Sequence, residues 1–304
     1  MKKRTETVID AGNNSLINHA ADGAANALEI KGLTKSWPGF TLDHLNLTLP
    51  CGCIMGLIGE NGAGKSTTIK LILDMIHRDG GTITILGRDN QDEICVTKEE
   101  LGVVLDEVGF PECMTGKQVN QMMKYTYKNW DETVYFGYLK KLSVPDNKEF
   151  KEFSRGTKMK LGIAVALSHD PKLLILDEAT SGLDPVVRDE VLNIFCEFTR
   201  DENHAVLISS HIVSDLEKIC DYIAFLHKGK LLLCEEKDIL LEQYGIIRCS
   251  AEQIGELDPF AIRGKKESPY GVEAIVWRGA VPAGINISPI NIEELFVFMA
   301  KEER

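Results

Sequence analysis

A chain of 304 residues, 44% hydrophobic and 26% charged, has room for one sizeable α/β domain with a smaller appendage and the ordinary composition of a globular protein. A net charge of −12 argues against nucleic acid as a partner. No apolar run approaches the roughly 18–20 residues that a bilayer crossing requires, so any membrane span must belong to another chain. The eight cysteines show neither zinc nor iron–sulfur spacing and read as buried or incidental thiols of a reducing cytosol.

Residues 1–26 read as an untethered, disordered extension. Met1-Lys2-Lys3-Arg4 is basic, but the apolar segment of a signal peptide does not follow, and Asn, Ala, Gly, Ser and Asp dominate up to Asn26. An alternating strand opens at Leu28-Glu29-Ile30. Leu42, either His44 or Leu45, Leu47 and Leu49 mark a second amphipathic strand, ended by Pro50 and Gly52. These strands predict an antiparallel β edge ahead of the core.

Cys53-Ile54-Met55-Gly56-Leu57-Ile58 is a short apolar run of the kind that forms a buried parallel strand. Directly after it comes Gly59-Glu60-Asn61-Gly62-Ala63-Gly64-Lys65-Ser66-Thr67, which fits the phosphate-loop pattern of glycine, four residues, glycine, lysine and a hydroxyl residue. Ile69, Ile72, Met75 and Ile76 then fall on one helical face, completing the strand, turn and helix that the motif needs. The glycines let successive N–H groups curl inward towards phosphate oxygens, and the helix adds its unpaired N–H groups and positive dipole end. Lys65 is placed to reach the β- and γ-phosphates of a nucleotide, and the Ser66 hydroxyl to ligate Mg²⁺.

Strands are expected over residues 82–86 and 101–105, and from about Asp106 to 168 the texture is helical. Thr115 and Gln118 have the spacing of a capping box. Helices through Tyr127 and over 131–142 carry Tyr125, Tyr127, Trp130, Tyr135, Phe136 and Tyr138, a set that reads as core with a share available for docking. A helix over 155–168 ends at His169-Asp170-Pro171, and a buried strand follows over 172–176. Asp184-Pro185 starts a further helix. A strand over 205–208, a helix over 214–220 and a hairpin about Lys228-Gly229-Lys230 complete an alternating pattern that argues a parallel, helix-flanked sheet. Residues 236–304 form a small α/β appendage with a helix over 237–244, a strand over 272–276 and an Asn291-capped helix through Met299.

Asp177 and Glu178 end the strand over 172–176, and in a parallel sheet that end opens towards the phosphate loop. Asp177 can then hold Mg²⁺, directly or through water, and Glu178 can orient and polarise an attacking water.

With these motifs in order, residues 28–233 resemble the ATP-binding subunit of an ABC transporter. The resemblance implies a P-loop NTPase core over residues 27–235, with parallel sheet, antiparallel β edge and helical subdomain. Ser181-Gly182-Leu183-Asp184 is similar to the family's D-loop, and Ser209-Ser210-His211 to its switch histidine. His211 is therefore expected to contact the γ-phosphate and support the catalytic Glu178. Trp37 holds the position of the aromatic that stacks on adenine, with Phe40 the nearby alternative. Phe153-Ser154-Arg155-Gly156-Thr157 matches the family's Leu-Ser-Gly-Gly-Gln signature, which contacts the ATP held by an opposing subunit.

Two positions depart from the family pattern. Arg155 replaces a glycine, adding bulk and positive charge, while Gly156 preserves one close approach. Asp106 stands where the family usually has glutamine, and a carboxylate there can also ligate Mg²⁺. Both, with the tail, resemble a bacterial export branch linked to drug, peptide or antibiotic efflux. The resemblance implies an ATPase that dimerises around two ATP molecules and drives a separate multi-span permease from the inner face of the cell membrane. Its second ATPase subunit is identical or not. One alternative is a soluble ABC ATPase acting on a non-transport partner. A small-molecule kinase would leave Ser154, Asp184 and His211 unexplained.

Overall fold

The computed structural model describes residues 25–91, 94–268, 271–282 and 284–302. The expected extension over 1–26 therefore lies outside the described residues up to position 24, and the first strand already begins at Asn26.

The chain opens with β1 (Asn26–Trp37) and β2 (Phe40–Pro50), crosses to β3 (Ile54–Ile58), and enters α1 (Lys65–Ile72). Next come β4 (Gly80–Ile85), β5 (Arg88–Asp89), α2 (Ile94–Glu99) and β6 (Leu101–Val104). The first sheet is the antiparallel edge, ordered β2-β1-β4-β5. The choice between His44 and Leu45 as core residue is decided by a bulge. Lys35 pairs with Leu42 but Leu33 pairs with Leu45, so β2 carries one extra residue, and His44 absorbs it at φ 46. Leu45 is buried and His44 exposed. α1 is shorter than its periodicity predicts: Asp74 turns left-handed at φ 49, so Met75 leaves the apolar face and is exposed.

The helical subdomain follows as α3 (Gly116–Thr126), α4 (Glu132–Lys141) and α5 (Arg155–Ala166). Thr115 and Gln118 form the expected capping box, Asp131 caps α4, and Ser154 caps α5. Most of the aromatic set is core. Tyr135 is fully buried and donates its hydroxyl to the Gly116 carbonyl at 2.9 Å, and Trp130 donates to Asn120 at 2.8 Å. Tyr127 stacks on buried His169 at 3.9 Å, whereas Tyr125 is exposed.

The remaining core elements are β7 (Leu173–Asp177), α6 (Pro185–Phe198), β8 (Ala205–Ser210), α7 (Val213–Ile219), β9 (Tyr222–His227) and β10 (Lys230–Glu236). They complete a six-stranded sheet of order β10-β9-β3-β8-β7-β6, parallel except for the β10 edge. Each central strand is apolar on both faces because helices cover one side and the antiparallel sheet the other.

The tail comprises α8 (Lys237–Gln243), β11 (Tyr244–Cys249), α9 (Ala251–Gly255), β12 (Ile262–Ser268), β13 (Gly271–Trp277) and α10 (Ile292–Glu302), with a three-stranded antiparallel sheet ordered β11-β13-β12. Asn291 caps α10, accepting from Glu294 N–H at 2.8 Å. The tail does not stand apart. Ile292, Leu295 and Phe296 belong to the same hydrophobic cluster as Ile223 and Phe225, with the Phe296 and Phe225 rings 5.3 Å apart. Phe296→Ala should therefore destabilise the whole protein by about 3–5 kcal/mol, the usual cost of a buried Phe cavity. Thermal unfolding followed by circular dichroism should show one transition shifted down, not an early loss of the tail alone.

Candidate nucleotide site

The parallel register brings four strand ends level. Val104 pairs with Leu176, Asp177 with Ser209, and Ser210 with Ile58. The loops beyond these ends carry Asp106, Glu178, His211 and the phosphate loop. They line one cavity of about 580 Å³ together with Phe40, Arg155 and Ser181.

The floor of this cavity is the loop over residues 59–64. Gly62 (φ 83) and Gly64 (φ 112) adopt backbone conformations that side chains disfavour. Gly59 is required for space: a Cβ there would stand 2.5 Å from the Leu226 carbonyl of β9. Gly229 N–H donates to the Ala63 carbonyl at 2.9 Å, tying the β9–β10 turn to the loop from below. Glu60, Asn61, Gly62, Gly64, Lys65, Ser66 and Thr67 face the cavity. Lys65 is buried and donates to the Gly59 carbonyl at 2.7 Å and the Glu60 carbonyl at 3.3 Å, with Nζ 3.9 Å from Glu178. Burial pushes its ammonium below the ordinary lysine value, while the charges of Glu178 and Asp177 pull it back up.

Asp177 is buried behind the cavity and accepts from Ser209 Oγ at 2.5 Å. The same hydroxyl accepts Glu178 N–H at 3.2 Å, and the Ser209 carbonyl takes that N–H at 3.1 Å. Glu178 itself sits at φ 53, a conformation a non-glycine residue keeps only when its surroundings impose it. Its carboxylate meets His211 Nδ1 at 2.6 Å and, more loosely, the His211 N–H at 3.4 Å. Glu178 and His211, expected to act together, are in direct contact.

Trp37, Ser154, Gly156 and Asp184 do not line this cavity. Trp37 lies outside the cavity lining, its ring 6.3 Å from Phe40, which does line it and packs towards Gly64. Ser154 caps α5 by accepting Thr157 N–H at 3.2 Å, and Asp184 caps α6 by accepting Val187 N–H at 3.2 Å. Gly156 makes a close approach within its own chain: a Cβ there would be 3.2 Å from the Gly182 carbonyl. Ser209 was visible only as part of a motif. Its role comes from sitting opposite Asp177 in the ladder, which sequence spacing does not reveal.

The donor chemistry fits a nucleotide with Mg²⁺. Glycine backbone and a helix N-terminus suit phosphate, while the Ser66 hydroxyl and the Asp177 and Asp106 carboxylates are hard oxygen donors of the type Mg²⁺ takes. A strand, phosphate loop and helix, with a carboxylate pair at the end of β7, one strand beyond β8 in the same parallel sheet, define a P-loop nucleotide hydrolase.

The family model described as ABC transporter matches residues 42–181. The chain is 33% identical over 271 residues to an uncharacterized ABC transporter ATP-binding protein, YhcH, of Bacillus subtilis, covering 86% of this chain and 87% of that protein. It is 35% identical over 215 residues to the lantibiotic transport ATP-binding protein SrtF of Streptococcus pyogenes, covering 69% of this chain and 91% of the relative. Among solved structures, the dimeric post-hydrolysis form of the ATP-binding cassette MJ0796, bound to ADP and Pi, superposes with a TM-score of 0.62 at 18% identity, covering 69% of this chain and 98% of that one. The chain belongs to the ATP-binding proteins of ABC transporters, and its fold and motifs are those of an ABC ATPase.

Ser209→Ala removes the hydroxyl that holds Asp177 and Glu178 N–H. Without it the Asp177 and Glu178 carboxylates lose their fixed placement, and misplacing a positioned group by about 1 Å can cost 10²-fold, so ATP turnover should fall by roughly tenfold to a hundredfold. Steady-state phosphate release against a folding control by circular dichroism checks this.

Proposed function

We propose that this chain is the ATP-hydrolysing subunit of an exporter for a peptide-type antibiotic or related toxic compound, working as a dimer beneath a separate multi-span permease. The observation that carries the reading is the convergence of the phosphate loop, Glu178, His211 and the first turn of α5 on one open cavity. Similarity to a lantibiotic transport protein supports the substrate class. Among the described residues no helix is long and apolar enough to cross a membrane, which agrees with a partner supplying the span and with a place on the inner membrane face.

In this reading the loop N–H groups and the start of α1 bind the phosphates. Lys65 exchanges the Gly59 and Glu60 carbonyls for β- and γ-phosphate oxygens. Mg²⁺, held through Ser66, Asp177 and Asp106, would neutralise phosphate charge. Glu178 accepts a proton from the attacking water, and His211 holds its carboxylate through Nδ1 and stands ready for the γ-phosphate. Adenine stacks at the aromatic edge formed by Trp37 and Phe40. A second copy, or a related subunit, closes the site with Ser154, Arg155, Gly156 and Asp184. ATP then favours the closed dimer because only that state buries it twice.

For the permease, a cavity of about 380 Å³ lined by Met75, Leu101, Val103, Leu105 and Tyr127 lies beside β6, on the strand that leads to Asp106. It joins the expected aromatic region at Tyr127 and gives a permease loop direct mechanical access to the site.

Glu178→Gln should retain ATP and accumulate as an ATP-bound dimer in sedimentation experiments; a chain that stays monomeric at saturating ATP would sink the dimer mechanism. Affinity capture from detergent-solubilised membranes should bring down a multi-span protein. Capture of only soluble partners would favour the non-transport alternative.

A further inference from the structure

The two residues that depart from the family pattern meet each other. Arg155 Nη2, at the start of α5, donates to Asp106 Oδ1 in the loop after β6. The stem of Arg155 also passes over Gly182, with Cδ 3.5 Å from where a Cβ would stand on that residue. From the first turn of α5, Arg155 therefore touches the loop after β6 and the loop after β7 at once. Both partners of the ion pair line the nucleotide cavity, and both also line a second cavity of about 430 Å³ shared with Glu107 and Lys158.

The chemistry of this pair makes it a breakable tie. Its side chains are 60% and 50% exposed, so water and salt screen it, and a competing cation can displace the guanidinium. Asp106 is also one of the oxygen donors that fit Mg²⁺ in this cavity, and a divalent ion attracts a carboxylate more strongly than a solvated guanidinium does. The same carboxylate cannot satisfy both fully.

We propose that Asp106 and Arg155 form an electrostatic latch: nucleotide with Mg²⁺ in a chain's own site draws Asp106 away and releases Arg155 for the nucleotide of a second copy. This rests on the reading that the first turn of α5 serves the opposing ATP. Until a chain is loaded, its arginine is neutralised at home. After loading, it is free to stabilise phosphate across the interface. The latch thus makes each site's completion conditional on the other chain's occupancy, a coupling between two sites through one shared carboxylate.

The test uses full-length chains in the Glu178→Gln background and reads dimerisation by sedimentation as ATP is titrated, in Mg²⁺ or in EDTA. With the latch intact, half-dimerisation should need about 5-fold or more ATP in EDTA than in Mg²⁺, the lower end of ordinary site-to-site coupling. Asp106→Asn should lower the ATP requirement in EDTA by a similar factor, because Arg155 is then never restrained. Arg155→Ala should raise the requirement in Mg²⁺, and adding Asp106→Asn to it should change nothing further in EDTA. Arg155→Lys, which keeps the charge, should keep the Mg²⁺ dependence. The latch is overturned if Asp106→Asn leaves the EDTA titration unmoved, or lowers it equally with and without Arg155. If no variant dimerises at any ATP concentration, the opposing-site reading fails and takes the latch with it.

Discussion

The register of the parallel ladder is the constraint on which the site depends. Because β6, β7, β8 and β3 end level, the loops beyond them open on one edge, and hydrogen-bonded strands, not loops, set the spacing of the chemistry. A one-residue slip between β7 and β8 would take Ser209 away from Asp177 and carry Glu178 away from His211. Such a slip would also turn buried Leu174 and Leu176 onto the other face of the sheet. Both faces of β7 are apolar, so it is the shape of the packing around those residues, not their hydrophobicity, that opposes such a slip.

Electrostatics explains why the cavity needs more than a phosphate loop. Glu60, Asp106 and Glu178 line it and Asp177 lies behind it, against Lys65 and Arg155 as facing cations. A triphosphate adds several negative charges to a site already rich in carboxylates. Lys65 is buried and partly occupied with the attraction of Glu178 and Asp177, so it cannot offset them alone. A cation bound with the nucleotide would offset this excess of negative charge, and the Ser66 hydroxyl and the Asp106 carboxylate that line the cavity are donors of the type it takes.

The parts of the site that were legible in the sequence are those whose signal is local. The phosphate loop, the carboxylate pair and the caps at Thr115, Ser154 and Asp184 depend on neighbours within a few residues, and each forms as its spacing implies. Three kinds of feature were not legible. The bulge at His44 and the early end of α1 at Asp74 are left-handed backbone turns at non-glycine residues, which periodicity does not encode. The strands β11 and β12 carry Gly245 and Gly264 and lack a strong alternating pattern, so only pairing with β13 defines them. The Asp106–Arg155 contact joins positions 49 residues apart, and each looked like an isolated exception until the fold brought them together.

Support for His211 comes from behind the cavity. Arg188 of α6 donates to the Leu183 carbonyl at 3.1 Å, and its Nε lies 3.7 Å from buried Asp215 of α7. The loop after β7 and the helix that follows His211 are therefore braced against each other by one side chain. α7 packs in turn against α10, with Leu216 and Leu295 in the same hydrophobic cluster. The pair is an ion pair without a hydrogen bond, and removing Arg188 would leave the buried Asp215 charge without its partner. The tail, which carries no catalytic motif, thus presses on the helix that anchors His211. Among the described residues none of the tail lines the nucleotide cavity, and the tail meets the rest of the chain through this continuous core.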